Sequence, residues 1–240
     1  MPRFFVDSIT DEKYACITGE DARHISRSLR MKKEDALTVT CGGIDYSCVI
    51  KDISDDMVSL EVLFFNKCKS EPGIDLTLFQ AVPKLDKLEF IIQKSVELGV
   101  NRIVPVLTRR CVSRPTEKDF AKKLVRYQKI ALEAAKQSGR GIIPEVAPMI
   151  SFSEALEQMK QTDVSLMLYE QGGVRFSEAG LTNTGSVSIL IGSEGGFDES
   201  EVLKADEAGI KRIWLGDRIL RCETAPLVAV SLTMFLTGNL

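Results

Sequence analysis

The chain has 240 residues, with 31 Lys or Arg against 34 Asp or Glu, a formal net charge of −3 and 44% hydrophobic content. That balance excludes a uniformly basic nucleic-acid binder and allows a sizeable core in one large or two smaller domains. Six scattered cysteines without a C-x-x-C pair, a single histidine (His24) and no G-x-S-x-G elbow argue against a disulfide framework, a Cys/His metal site and a serine hydrolase.

Residues 1–70 carry short alternating segments, "RFFV", "YACIT", "ALTVTC", "DYSCVIKDI" and "MVSLEVLFF", with "CGGID" as a hairpin turn. Their spacing predicts a small antiparallel barrel. It is interrupted by one helical insert, "EDARHISRSLRM", with Ile25 and Leu29 on one side and Arg23, Arg27 and Arg30 largely on another. "NKCKSEPGID" reads as a linker, so domains are expected at 1–70 and 71–240.

Beyond the linker the period changes. "DLTLFQAV" predicts a strand, and "KLDKLEFIIQKSVELG" an amphipathic helix with Leu85, Leu88, Ile92 and Val96 on one face and Gly99 at its end. "RIVPVL" is the next strand. "EKDFAKKLVRYQKIALEAAKQSG" follows as a long helix with Phe120, Leu124, Tyr127, Ala131 and Ala134 inward and Gly139 as its stop. "VSLMLY", "SVSILI" and "RIWLG" are further strands, "ESEVLKADEAG" is a helix between the last two, and a final apolar helix begins near Pro226. Strands alternating with helices imply an α/β fold whose parallel sheet is covered on both faces.

Charge is unevenly placed. Residues 101–145 hold eleven Lys or Arg against four Asp or Glu, leaving the rest of the chain acidic. Such a run is either a solvated helix face or a phosphate-contacting patch. No leader-like start and no apolar run of eighteen is seen, so a soluble, cytoplasmic protein with no membrane partner and no metal is expected.

Two strands end at glycine, "SILIG" at Gly192 and "RIWLG" at Gly216, each followed by a polar loop and a helix. In open parallel sheets the carboxyl ends of strands form the ligand crevice. Glycine there leaves bare backbone against which a flat ligand can pack. "GSEGG" matches neither phosphate-cradling spacing, and Glu194 would repel a phosphate, so an uncharged or cationic ligand fits better. Asp198 with Glu201 three residues on reads as a capping box. "LGDRILRCETAP" then packs Arg218, Arg221 and Glu223 into six residues between a strand and a helix. Arg221 and Glu223 could act in chemistry, pair with each other, or cap the last helix.

Taken with "MPRFFV", "HISRSLRM", "FIIQKSVELGV", "RYQKIALEAAKQSGR" followed by "IP", "LIGSEGGF" and "LGDRILRCETA", in order across nearly the whole chain, these loops resemble the bacterial 16S ribosomal RNA uridine-N3-methyltransferases of the RsmE type, in the SPOUT class. Ser193 and Cys222 depart from the pattern, which more often has Pro and Thr there. The resemblance implies a PUA-like β-barrel that binds RNA and a SPOUT domain with a C-terminal trefoil knot. It further implies a homodimer that uses S-adenosylmethionine to methylate N3 of one uridine in 16S rRNA or the small ribosomal subunit. The implied cofactor contacts are Leu168, Ile191, Gly192, Glu194, Gly195, Gly196, Leu215, Gly216, Ile219, Leu220 and Ala225, and the implied catalytic residues are Arg221 and Glu223. Arg3, Arg23, Arg27, Arg30, Arg109, Arg110, Arg114 and Arg140 are the expected RNA contacts, and His24 either stacks on a base or is a half-buried polar residue. Covalent attack by Cys222 is not required, because N3 is itself a nucleophile. A non-catalytic RNA-binding module, or the same chemistry on another RNA such as transfer RNA, are the competing readings.

Overall fold

The computed structural model describes residues 1–240, which form two compact units: Met1–Glu71 with Ala135–Ile142, and Pro72–Ala134 with Ile143–Leu240.

The first unit is a five-stranded sheet built from β1 (Arg3–Phe5), β2 (Tyr14–Thr18), β3 (Ala36–Cys41), β4 (Ile44–Ile53) and β5 (Met57–Lys67), in the order β1-β3-β4-β5-β2. The β3–β4–β5–β2 pairs are antiparallel as alternation suggests, but β1 runs parallel to β3, pairing Phe4 with Val39. Inward-facing Phe4, Ile17, Leu37, Val39, Ile50, Val58 and Leu60 make the core. The helical insert is α1 (Gly19–Arg23) continued by a π-helical turn, His24–Ser28, in which the Leu29 N–H donates to the His24 carbonyl at 2.9 Å. The wider turn moves Leu29 off the face of Ile25: Ile25 is fully buried, whereas Leu29 is 40% exposed, contrary to the helical spacing.

Residues 135–142, far away in sequence, belong to this unit because they complete its polar interior. Arg3 Nη1 donates to the Gly139 carbonyl at 2.9 Å while both Arg3 Nη atoms pair with Asp45 at 2.9 and 2.8 Å. Arg140 forks onto the two oxygens of Glu71 at 2.8 Å each, and Glu71 also accepts the Gly141 N–H at 2.6 Å. Nothing in the linear pattern of a helix end announces those partners.

The second unit contains β6 (Asp75–Ala81), α2 (Lys87–Glu97), β7 (Arg102–Leu107), α3 (Glu117–Ser138), β8 (Glu145–Val146), β9 (Ile150–Ser151), α4 (Phe152–Met159), β10 (Val164–Leu168), β11 (Val174–Arg175), β12 (Ser186–Ile191), α5 (Glu199–Glu207), β13 (Lys211–Trp214) and α6 (Ala225–Leu236), the last residues of α3 falling in the first unit. Every pairing in its sheet is parallel, in the order β11-β13-β10-β12-β6-β7-β8 with β9 also on β7. Near-continuous apolar strands such as "SVSILI" are what a sheet covered on both faces requires. One face packs Phe79, Val104, Val106, Met167 and Leu190 against Ala155 and Met159 of α4 and Val202 and Ala205 of α5. Elsewhere α6 packs on α2 and β12.

Two expectations for the helices need correction. Leu85 lies outside α2, at φ 56° and 86% exposed, because the chain turns there before Asp86 begins the helix; Ile91 takes the buried position. The helix α4 was not expected, although its Ser151–Glu154 capping box is complete. Gly99 does end α2 in the left-handed region, at φ 103°, where a Cβ would stand 2.9 Å from Met234 Cε.

Candidate functional site

The strand order reverses around β10, which lies between β12 and β13. The loops after β12 and β13 therefore flank the carboxyl end of β10, one on each side. Leu168, Tyr169 and Glu170 at that end supply a wall that the two glycines alone did not suggest.

A cavity of about 530 Å³ opens there, within the range of small-molecule sites. Leu168, Ile191, Gly192, Glu194, Gly195, Gly196, Leu215, Gly216, Ile219, Leu220 and Ala225 all line it, as do Lys87, Trp214, Arg218, Arg221 and Cys222. Glu223 does not line it; its Oε2 accepts from Cys222 Sγ at 3.2 Å.

The glycines have a different physical reason from the one expected. Ser193–Gly196 is a tight turn, closed by the Gly196 N–H on the Ser193 carbonyl at 3.0 Å, with Gly196 at φ 65°. A Cβ on Gly192 would stand 3.2 Å from Gly196 Cα and from Phe197 Cε2, and one on Gly195 would stand 3.0 Å from both Cβ and the carbonyl oxygen of Arg110. Protein atoms, not open space, fill those directions. Gly216, at φ 104°, is the exception, with no atom within 4 Å of where a Cβ would be.

Below the turn, α5 starts at the expected capping box: Asp198 Oδ1 accepts the Ser200 N–H at 3.1 Å and Glu201 Oε2 accepts the Asp198 N–H at 3.1 Å. Glu201 is only 3% exposed, and its other oxygen accepts the Arg109 N–H at 2.8 Å. The arginine-bearing segment Thr108–Arg114 is thus tied to the glycine turn. Ser193 Oγ donates to the Arg110 carbonyl at 3.3 Å, and Arg110 Nη1 donates to the Gly195 carbonyl at 3.4 Å.

The loop after β13 corrects another reading. Arg221 and Glu223 are not paired. The Arg221 carbonyl accepts the Thr224 and Ala225 N–H groups at 2.8 and 2.9 Å at the start of α6, and Arg221, an exposed residue that lines the cavity, forms no ion pair in the chain. Glu223 instead pairs with Lys87 at 3.0 Å, and the same ammonium pairs with Glu194 at 3.0 Å. Hydrogen bonds from Lys87 to Glu223 and then Glu194 raise the lysine above its ordinary value. Burial, the largest single influence, pushes each carboxyl up, but the Lys87 ammonium and nearby backbone N–H groups outweigh it and hold both below their usual range. Burial and a hydrogen bond to Glu223 push the Cys222 thiol up to about 12, which removes it as a nucleophile at neutral pH. Sequence reasoning missed Lys87. The signal available was a cation on the first turn of a helix, where the macrodipole disfavours it.

The eight arginines separate into classes. Arg140, 2% exposed and forked onto Glu71, does not present its guanidinium to a phosphate, while the half-buried Arg3 pairs with Asp45. Arg23 and Arg27 are exposed but pair with Asp56 at 2.7 Å and Asp55 at 2.5 Å. Arg30 is exposed, at φ 52°. Arg109 and Arg110 are exposed on the segment tied to the glycine turn, while Arg114 Nη1 donates back to the Thr108 carbonyl at 2.9 Å. His24 meets Phe4 edge-on at 6.3 Å between ring centroids.

The chemistry of this cavity suits a nucleoside: apolar side chains for a flat base, main-chain groups in two loops, carboxylates at Glu170 and Glu194 and cations at Lys87, Arg218 and Arg221, without a phosphate-cradling glycine spacing. Comparison with known proteins points the same way. Residues 69–234 match an RNA methyltransferase domain family and residues 17–63 an RNA methyltransferase PUA domain family. The chain is similar to ribosomal RNA small subunit methyltransferase E of Bacillus subtilis, with 36% identity covering 99% of this chain and 97% of that one, and to its namesake in Mesomycoplasma hyopneumoniae, with 34% identity covering 95% and 96%. Among solved structures it resembles ribosomal RNA small subunit methyltransferase E of Neisseria gonorrhoeae bound to S-adenosyl methionine, with a TM-score of 0.88, 32% identity and coverage of 99% and 98%.

Proposed function

The chain belongs to the RNA methyltransferase family, and from that membership we propose that it methylates N3 of a uridine in 16S ribosomal RNA with S-adenosylmethionine as the donor. The observation that carries the reading is the convergence of one apolar, carboxylate-bearing cavity with two exposed arginines that have no ion-pair partner in the chain, Arg218 and Arg221; the family resemblance assigns the chemistry to Arg221. When bound, S-adenosylmethionine supplies an electrophilic methyl carbon on a cationic sulfur. Leu168, Ile191, Leu215, Ile219 and Leu220 would hold its base, and Gly192, Glu194, Gly195, Gly196, Gly216 and Ala225 would offer main-chain groups and one carboxylate.

Uridine N3 carries a proton and must lose it before it can attack. The Arg221 guanidinium lowers that barrier by stabilising the anion, whose charge spreads onto the flanking carbonyl oxygens. Glu223, paired with Lys87, accepting from Cys222 Sγ and absent from the cavity lining, acts through Lys87 and not on N3 itself, whose proton is released to bulk solvent as Arg221 stabilises the anion. Because N3 lies on the Watson–Crick edge, the target base must be unpaired. The reading assigns phosphate contacts to the exposed Arg109 and Arg110 beside the glycine turn and to Arg23, Arg27 and Arg30 of the first unit, Arg23 and Arg27 exchanging Asp56 and Asp55 for phosphate.

A homodimer is part of the proposal. Besides its buried Ala229, Val230 and Met234, α6 carries half-buried Leu227, Val228 and Leu232 and exposed Phe235 and Leu236, and a helix apolar on every face belongs in an interior. A trefoil knot is supported by the path from β13, beyond β10, back to α6 on α2 and β12. A cytoplasmic location follows from the substrate, and no helix is long and apolar enough to cross a membrane.

The test is Arg221→Ala, assayed by mass spectrometric mapping of methylated nucleosides in ribosomal RNA and by calorimetry with S-adenosylmethionine. Methylation is lost and cofactor binding is nearly intact if the reading holds; near-normal turnover refutes it.

A further inference from the structure

Lys87 opens α2, although the N-terminal end of a helix disfavours a cation. Its side chain serves two other elements. Nζ stands 3.0 Å from Glu194 Oε1, in the turn after β12, and 3.0 Å from Glu223 Oε2, in the loop before α6, and donates to Cys222 Sγ at 3.7 Å. Glu194 is held a second time from the same side, accepting the Lys84 N–H at 3.1 and 3.3 Å on its two oxygens. The first residue of α2, with Lys84 just before the helix, thus grips both loops that wall the cavity.

A lone surface ion pair contributes little. One ammonium shared by carboxylates from two loops is different, because its loss leaves two like charges facing each other. Oxygens that both touch the same nitrogen are no more than about 6 Å apart, a range in which like charges disfavour each other's ionisation.

We propose that Lys87 is a positioning residue of the methyl-transfer site, which holds the glycine turn and the arginine loop in register by bridging Glu194 and Glu223. The proposal rests on the cofactor reading above. Charged or titratable groups facing Nζ are Glu194, Glu223 and Cys222; Glu170, Arg218 and Arg221 line the same cavity. With Glu223 anchored, the backbone of its neighbour Arg221 is fixed where α6 begins. Without the bridge, the turn and the loop separate.

The experiment compares wild type, Lys87→Met and Lys87→Arg by calorimetry with S-adenosylmethionine and by carbon-13 NMR titration of the glutamate carboxyls without cofactor. Lys87→Met should weaken cofactor binding by roughly tenfold or more, since small displacements of positioning groups cost up to about a hundredfold. It should also move the Glu194 or Glu223 titration upward, a change that a space-filling lysine would not produce. Lys87→Arg should restore the low titration and most of the affinity. Wild-type titration and affinity in Lys87→Met would overturn the proposal. Should that variant not fold, Lys87→Gln carries the same measurements. A wild-type protein that fails to bind S-adenosylmethionine would sink the cofactor reading instead, while the carboxyl titration still decides the role of Lys87.

Discussion

Glu201 accepts the backbone N–H of Arg109 at 2.8 Å with one carboxylate oxygen while the other accepts the Asp198 N–H at 3.1 Å. One buried side chain therefore both caps α5 and ties the arginine segment beneath the glycine turn. In Glu201→Gln an amide N–H would face one of those donors, leaving it unsatisfied. The expected loss is about 1–3 kcal/mol of stability, the usual result of stranding a buried polar group. Denaturant midpoints measure it, and RNA affinity should fall with the displaced Arg109 and Arg110; unchanged values for both would show that the tie is unimportant.

Gly195→Ala places a methyl 3.0 Å from the Arg110 carbonyl oxygen, a backbone atom that cannot rotate away. The turn or the arginine segment has to shift. A destabilisation of about 1–3 kcal/mol is expected, as for other overpacked sites, together with weaker binding of S-adenosylmethionine by calorimetry. The Arg110→Ala variant leaves that carbonyl in place and should not rescue it.

The expected RNA contacts can be separated by salt dependence. Neutralising Arg109 and Arg110 together should flatten the plot of log affinity against log salt by about 1 to 2, close to one unit for each phosphate that is no longer neutralised. Arg140→Met should instead strand the Glu71 carboxylate and cost about 3–5 kcal/mol of stability, as broken buried pairs do. Any protein that stays folded in that variant should keep the wild-type salt slope. A flattened slope with normal stability would return Arg140 to the RNA interface.

Alkaline pH should loosen the fold. Burial pushes Cys48 up to about 11 and Cys222 up to about 12, from an ordinary 9.0, and it raises Tyr127 as well. The folded chain holds these protons more tightly than the unfolded chain. Their contribution is therefore fully present below pH 9.0 and is lost as pH rises through the folded values. Denaturant midpoints should fall between pH 9.0 and about pH 12, and less steeply in Cys48→Ala with Cys222→Ala; an identical fall would assign the effect elsewhere. Methylation by Cys222→Ser should persist.

Linear patterning by itself decided much of this protein. The switch from alternating to helical spacing near residue 70, the apolar runs of β6, β7, β10 and β12, the stop of α2 at Gly99 and the capping box at Asp198 are local matters, settled by side-chain periodicity and backbone conformation over a few residues. The two loops that wall the cavity could be named because strand ends and charged loops are also local. Even a local signal can be passed over, as the "SFSE" start of α4 was. Only the tertiary structure brought β10 between β12 and β13, gave Arg3 and Arg140 carboxylate partners, filled the space over Gly192 and Gly195 with protein atoms, and set Lys87 between Glu194 and Glu223. Those ion pairs join residues more than forty positions apart. A charge in a sequence carries its sign, but whether it meets solvent, a phosphate or an opposite charge depends on which distant segment the fold lays beside it.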